Sequence, residues 1–337
     1  MNVAVLSEGG WGTALALTLL ENGHATRLWG PFPDYLDELR QRRENPRFLP
    51  GVPLPETLGI EADLARAVAG AALVVLAAPA QYQRGLLDQL RPVMPSGALY
   101  VSVAKGIEVG SLLRMSELVH DRLGPVRLAV LSGPSHAEEV ARRVPTAVVA
   151  AAQDAADAQA AQAAFMNAAF RVYTADDVTG VELGGALKNV LALAAGMCDG
   201  LGLGDNSKAA LMTRGLAEMA RLGKALGGRP ETFFGLSGVG DLIVTCASRH
   251  SRNRRVGEAL GHGQALADIT RDLGGMVAEG VPTAASAYAL ARRAGADTPL
   301  IDAVHAVLYE GREPRAAARD LMTRAAKPEI PPGFLAG

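Results

Sequence analysis

The chain has 337 residues, with 33 basic and 35 acidic side chains, a net charge of −2, 49% hydrophobic residues and 4% aromatic residues. A balanced charge excludes an overall electrostatic pull toward nucleic acid or anionic membrane, and scarce aromatics remove the stacking platforms that single-stranded nucleic acid requires. A chain of this length exceeds a single core, so two domains are expected.

Residues 3–6, Val3-Ala4-Val5-Leu6, read as an apolar strand with no charged leader before them. Ser7-Glu8-Gly9-Gly10-Trp11-Gly12 follows, then a helix over 13–20 and a second strand over 26–29, in the order of a βαβ unit. Apolar runs recur at 72–77, 98–103 and 128–131, and helical patterns occupy 35–43, 80–90 and 112–123. This alternation predicts an α/β fold with a Rossmann-like, doubly wound parallel sheet as an N-terminal domain over 1–180. The alanine-rich stretch 151–164 is compatible with an amphipathic helix. From 181 to 337 the pattern is helix after helix, at 181–197, 207–226, 254–261, 284–294 and 299–309, which predicts an all-α C-terminal domain. The proline- and glycine-rich tail, 328–337, is expected to fray.

Two cysteines, Cys198 and Cys246, are too few for a disulfide framework and lack the paired spacing of a zinc site. No metal is expected, and a reducing, cytoplasmic compartment is the simpler reading. No apolar run approaches the ~20 residues of a membrane span, so no membrane insertion is expected.

In a dinucleotide fold, glycines permit a tight strand-to-helix turn, close approach of the pyrophosphate and tight packing of the helix whose N-terminus faces it. Gly9 and Gly12 fill the second and third glycine positions, while Ser7 stands at the first. Glu8 sets a carboxylate beside a turn suited to an anion and must point away from the pyrophosphate. The second strand ends in Trp29-Gly30-Pro31-Phe32, which has neither an acid for the ribose 2′-hydroxyl nor a base for a 2′-phosphate. The missing acid argues against strict NAD selectivity, and Arg27 and Arg40 are the bases that a 2′-phosphate would need. The expectation is therefore NADP(H) preferred, NAD(H) possible.

Lys188 is the one charge in the stretch Leu183-Gly184-Gly185-Ala186-Leu187-Lys188-Asn189-Val190. Gly184 and Gly185 lie one turn before it, and because glycine disfavours helix interiors, their presence points to close approach of a ligand on that face. The alternative is a lysine snorkelling from a core helix to solvent. Polar residues also gather around Lys105, Ser135, Asp241 and Ser251-Arg252-Asn253. The first two follow strands, where ligands of open α/β sheets bind. A hydroxyl, a guanidinium fork and an amide before a helix suit a phosphate dianion. Each also has a structural reading: Lys105 as a surface charge, Asp241 as a helix cap, Arg252 as part of a basic surface.

The blocks GGWGTALA at 9–16, NPRFLPGVPLP at 45–55, AKGIE at 104–108, LSGPSHAEEVARRVPTA at 131–147, ELGGALKN at 182–189, GDNSKAALMTRGLAEM at 204–219, GLSGVGDLIVTC at 235–246 and SRNRR at 251–255 occur in order. In these the chain resembles the bacterial-type NAD(P)-dependent glycerol-3-phosphate dehydrogenases, from the first strand to about residue 285. The resemblance implies reduction of dihydroxyacetone phosphate to sn-glycerol 3-phosphate by a cytoplasmic homodimer. It implies Lys188 as proton donor and acceptor, with Lys105 and Asp241 completing the catalytic set. Substrate contacts are implied at Lys105, Gly133, Ser135, Lys188, Asn189, Asp241, Ser251, Arg252 and Asn253. Cofactor contacts are implied at Gly9, Gly10, Trp11, Gly12, Gly30, Lys105, Ala137, Arg252, Val277 and Glu279. Ser7 in place of glycine and His136 in place of the family's usual phenylalanine are departures. Two other readings are a related β-hydroxyacid dehydrogenase and a dinucleotide-binding redox sensor without turnover.

Overall fold

A computed structural model describes residues 1–272 and 276–329, so most of the 328–337 tail lies outside the described residues. The chain divides into two compact units, Met1–Lys105 with Leu113–Val178, and Gly106–Leu112 with Thr179–Gly337. Beside the expected boundary at 180, this division gives the short segment 106–112 to the second unit.

In the first unit, β1 (Asn2–Leu6), α1 (Gly10–Glu21), β2 (Ala25–Trp29) and α2 (Pro33–Arg42) open the chain. A hairpin of β3 (Glu44–Asn45) and β4 (Leu49–Pro53) follows, then β5 (Gly59–Glu61), α3 (Leu64–Val68), β6 (Leu73–Leu76) and α4 (Gln83–Leu90). The unit continues through β7 (Leu99–Ser102), α5 (Met115–Leu123), β8 (Arg127–Ser132), α6 (Ala137–Val140), β9 (Thr146–Ala151), α7 (Ala155–Phe165) and β10 (Phe170–Ala175). Eight strands form one sheet in the order β5-β2-β1-β6-β7-β8-β9-β10. Alternate residues feed two cores: Val3, Val5, Val75 and Val101 pack with Leu15 and Leu28, while Ala4, Leu6, Val74, Leu76 and Tyr100 pack with Leu118. Burial of both faces is why these strands read as continuous apolar runs.

The pairing is parallel except between β8 and β9, which run antiparallel. The link between them carries only the one-turn helix α6, too little to return the chain to the other end of the sheet, whereas the eleven-residue α7 brings β10 parallel to β9. Of the strands in this sheet, the sequence pattern missed β5, β9 and β10. Ala147-Val148-Val149-Ala150-Ala151 merges into the alanine-rich helix behind it, so the helical stretch expected from residue 151 begins at Ala155.

Ser7 closes β1 by donating its backbone N–H to the Trp29 carbonyl at 2.9 Å, and its own φ is +127°. A glycine adopts this conformation freely, and a side chain there costs about 1–3 kcal/mol. Gly12 is required for a different reason: a β-carbon on it would strike the Ser7 carbonyl oxygen and approach Ala77 Cβ at 3.3 Å. The turn therefore keeps its tight helix packing without its first glycine.

The second unit, among the described residues, has no strand. It is built on α8 (Val178–Gly200), α9 (Gly204–Ala225), α10 (Asp241–Ala247), α11 (Arg252–Gly261), α12 (Leu266–Asp272), α13 (Gly280–Ala294), α14 (Pro299–Tyr309) and α15 (Pro314–Met322). Contrary to the expectation that no apolar run reaches membrane length, α8 has 23 residues and a mean hydropathy of 1.3 over its apolar window, all of it buried. It is a core helix whose apolar length is explained by being surrounded on every side. α11 crosses it closely: β-carbons on Gly196 and Gly257 would come within 2.7 Å of Glu258 N and 2.8 Å of Leu193 C respectively. Glu218 on α9 caps α14, its carboxylate accepting backbone N–H groups from Leu300 at 2.9 Å and Ile301 at 3.2 Å. Burial pushes this carboxyl up to about 8, and those N–H bonds work against the rise.

Because Ser7 carries the strain of a glycine position, Ser7→Gly is expected to raise the unfolding free energy by about 1 kcal/mol despite the entropy it adds to the unfolded chain. Chemical denaturation followed by circular dichroism checks this, and a loss of similar size would show the serine to be unstrained.

Candidate active site

Lys188 lies at the middle of α8 and is 6% exposed. Its ammonium donates to Asp241 Oδ1 at 2.8 Å and to Thr245 Oγ1 at 2.7 Å. Thr245 in turn donates to the Asp241 carbonyl at 2.6 Å, one turn back along α10. Asp241 and Thr245 are buried as well, so Lys188 is turned into the unit and does not snorkel to solvent. Asp241 directly follows the helical turn Leu236–Gly240, so the helical path runs through it into α10. A buried pair of this kind costs several kcal/mol of desolvation per ion before any attraction is counted, and is weak evidence for stability. A buried ion pair on a fixed geometry suits a group whose proton is used.

The turn before Asp241, Leu236–Gly240, is a π-helical turn, a local widening common at functional sites. Its backbone presses on α8: a β-carbon on Gly184 would lie 2.5 Å from the Ser237 carbonyl oxygen. The ligand face expected at Gly184 is therefore filled by protein, and this glycine serves the packing of the segment that carries Asp241.

Asn189, next to Lys188, accepts from Asn253 Nδ2 at 2.9 Å, and Asn253 Oδ1 accepts the backbone N–H of Gly280 at 2.9 Å. The expected residues Asn189 and Asn253 thus meet, and they hold the residue after Glu279 to the same cluster. Ser251 is the N-cap of α11, its hydroxyl oxygen accepting from the Arg254 N–H at 3.1 Å, which leaves its O–H as a donor. Arg252, the first residue of α11, is exposed, and Val277 and Glu279 are half-buried. Arg254 belongs elsewhere, bonded through Nε to Asp199 at 2.7 Å beside Lys208.

The first unit gathers a second group of expected residues. Lys105, past the end of β7, donates to the Gly133 carbonyl at 2.8 Å and lies 3.4 Å from Ser135 Oγ. Ser135 Oγ donates to the same carbonyl at 2.8 Å. Gly133 has φ +138°, and a side chain there would meet the Val148 backbone. At the start of α1, a β-carbon on Gly10 would approach the Phe48 carbonyl oxygen at 2.5 Å and Ala137 Cβ at 3.7 Å, so Gly10 and Ala137 are neighbours. Gly9 is the N-cap of α1 and no side chain caps that helix, while the indole N–H of Trp11 is buried without a hydrogen-bond acceptor.

Of the cofactor residues expected, Gly9, Gly10, Trp11, Gly12, Gly30, Lys105 and Ala137 lie in the first unit, and Arg252, Val277 and Glu279 in the second. Arg27 and Arg40, the bases considered for a 2′-phosphate, are already engaged. Arg27 Nη1 lies 2.9 Å from the Ala69 carbonyl oxygen and 3.1 Å from that of Arg66, while Arg40 bonds Ile60 O at 3.1 Å and pairs with Asp37. Both cysteines are buried, and burial pushes the Cys246 thiol up to about 12 and raises Cys198 as well, so neither is an activated nucleophile. Among the described residues no three His, Cys, Asp or Glu side chains gather as a metal site. Sequence reasoning missed Thr245, whose one signal was its place four residues after Asp241, on the same helical face.

Comparison with known proteins gives the family of the chain. The family profile described as NAD-dependent glycerol-3-phosphate dehydrogenase N-terminus matches residues 2–158, and that described as its C-terminus matches residues 177–319. The glycerol-3-phosphate dehydrogenase [NAD(P)+] of Geobacillus kaustophilus is 50% identical over 332 residues, covering 98% of this chain and 96% of that one. The protein of the same name from Moorella thermoacetica is 51% identical, covering 98% of each chain. The crystal structure of glycerol-3-phosphate dehydrogenase from Coxiella burnetii matches with a TM-score of 0.92 at 40% identity, covering 96% of this chain and 99% of that one. With profiles of both halves matched and half of all residues shared with such relatives over nearly its whole length, the chain belongs to the NAD-dependent glycerol-3-phosphate dehydrogenase family.

Proposed function

We infer that the chain catalyses the reversible, NAD(P)H-dependent reduction of dihydroxyacetone phosphate to sn-glycerol 3-phosphate, which supplies the glycerophospholipid backbone. The observation that carries this reading is the buried Lys188, held by Asp241 and Thr245 and linked through Asn189 and Asn253 to the start of α11. A proton-transferring group beside a phosphate-binding helix start is what this substrate needs.

The glycine turn fits a dinucleotide. The first turn of α1 has no side-chain cap, Gly12 allows the helix to pack on Ser7, and the Trp11 indole holds a buried donor that wants an acceptor. Gly9, Gly10, Trp11, Gly12, Gly30 and Ala137 would hold the cofactor on the first unit, with Lys105, Arg252, Val277 and Glu279 assigned to it by the family resemblance. When bound, the reduced nicotinamide supplies the hydride. Protonated Lys188 gives a proton to the ketone oxygen as negative charge develops there, and neutral Lys188 takes it back in the reverse direction. Asp241 and Thr245 fix the direction of that ammonium, and Lys105 adds positive charge to the developing oxyanion. The guanidinium of Arg252 and the hydroxyl of Ser251 bind the phosphate at the start of α11. Asn253, whose amide reaches both Asn189 and Gly280, positions that segment as well as offering its remaining N–H. Gly133 and Ser135 hold Lys105 in place and contact substrate. NADPH is the preferred coenzyme and NADH is used. The reading includes a homodimer and a cytoplasmic setting, the latter supported by two buried, unpaired thiols.

Replacing Lys188 with alanine is expected to lower turnover by about two orders of magnitude or more while coenzyme still binds. Steady-state rates with a coenzyme titration measure this, and near-wild-type turnover in a folded variant would remove Lys188 from the chemistry. Arg252→Ala is expected to act on a different parameter, raising the Michaelis constant for dihydroxyacetone phosphate about tenfold or more through loss of a charged phosphate contact. An unchanged Michaelis constant would take Arg252 out of the phosphate site.

A further inference from the structure

β2 ends without an acid, yet a carboxylate stands at its end. Glu8, from the β1–α1 turn, is 3% exposed, and its side chain fills the space that a residue other than glycine would need at position 30. A β-carbon on Gly30 would overlap Glu8 Oε2 and lie 2.5 Å from its carboxyl carbon. Gly30 immediately follows Trp29, the last residue of β2, which is where a dinucleotide-binding fold ordinarily sets the acid that grips the adenosine ribose.

The backbone that carries this side chain is pinned. Its carbonyl accepts from Asn45 Nδ2 at 2.7 Å and from Thr13 Oγ1 at 3.1 Å, and Asn45 Nδ2 also donates to Thr13 Oγ1 at 2.8 Å. Tyr35 locks Asn45 through its hydroxyl, which donates to Asn45 Oδ1 at 2.6 Å. The neighbouring residue Ser7 is pinned to Trp29. So the turn, the hairpin and α2 together aim the Glu8 side chain at the end of β2.

We propose that Glu8 supplies from the β1–α1 turn the ribose-facing carboxylate that β2 lacks, and that it sets the ratio in which the chain uses NADH and NADPH. The proposal rests on the dinucleotide reading of this unit. Burial pushes the Glu8 carboxyl above the usual carboxylate range, while its own backbone N–H and the Arg47 guanidinium draw it back down. A carboxylate held this way gains from two ribose hydroxyl donors and is opposed by a phosphate at the 2′ position. Arg47, on the hairpin, tempers that opposition, which accounts for use of both coenzymes. Arg27 and Arg40 cannot take part, since both are engaged with backbone carbonyls. Sequence spacing hid this arrangement because the acid comes from the first turn of the fold and not from the strand it serves.

The test is isothermal titration of NADH and NADPH into the wild-type chain, Glu8→Gln and Glu8→Asp, with folding checked by circular dichroism. Glu8→Gln keeps the volume and removes the charge; it is expected to shift the ratio of dissociation constants at least tenfold toward NADPH. Glu8→Asp withdraws the carboxylate by one methylene and is expected to weaken NADH by severalfold, so it tests the same point if the glutamine variant does not fold. A ratio unchanged within twofold in either folded variant, even with both affinities lowered, would make Glu8 a packing residue and overturn the proposal. A wild-type chain that binds neither coenzyme would instead count against the dinucleotide reading, which separates the two failures.

Discussion

An ammonium buried in a helix core needs a carboxylate, and the arrangement of the second unit follows from how Lys188 obtains one. Asp241 reaches it because a π-helical turn presses its backbone onto α8, and that approach is possible only because residue 184 has no side chain. The same requirement for closeness recurs along α8, where Gly196 and Gly200 admit α11 and so bring Asn253 to Asn189. The glycines of this helix lower its intrinsic stability by roughly 1 kcal/mol each. They are tolerated because the contacts they allow assemble one polar cluster inside an apolar unit. Mean hydropathy high enough for a membrane helix and a buried, paired lysine are two aspects of one core element.

The first unit answers a similar constraint with backbone geometry. Ser7 takes a glycine conformation, Gly12 receives its carbonyl at close range, and the polar set of Thr13, Asn45 and Tyr35 fastens the turn from outside. Strain at one residue is thus held by hydrogen bonds on the next. The fixed turn keeps the start of α1 uncapped by side chains and fixes the direction of Glu8, two features with opposite charge preferences only a few residues apart.

Much of this was legible in sequence. Strands β1, β2, β6, β7 and β8 are apolar runs bounded by turn residues, and the five long helices of the second half follow their periodicity. Lys188 stood out because a charge in a small-and-apolar stretch must be either matched or exposed, though the sequence alone left both open. What escaped was of two kinds. β9 escaped because its alanines blur into α7, and β10 because buried Phe170 and Val172 alternate with exposed residues and form no apolar run. Thr245, the filled face at Gly184 and the aim of Glu8 escaped because each depends on a neighbour far along the chain. Arg27 shows the same limit from the other side: a base at the right position in sequence, spent on the carbonyls at the end of α3.

The central claim is that this polar core reduces a phosphorylated ketone, and the most direct measurement is the loss of reduced-nicotinamide absorbance when dihydroxyacetone phosphate is added to the purified chain, with NADPH and NADH run side by side. The reaction described here predicts steady consumption that depends on the substrate, faster with NADPH than with NADH. A folded chain that binds coenzyme yet consumes none with this substrate would contradict it.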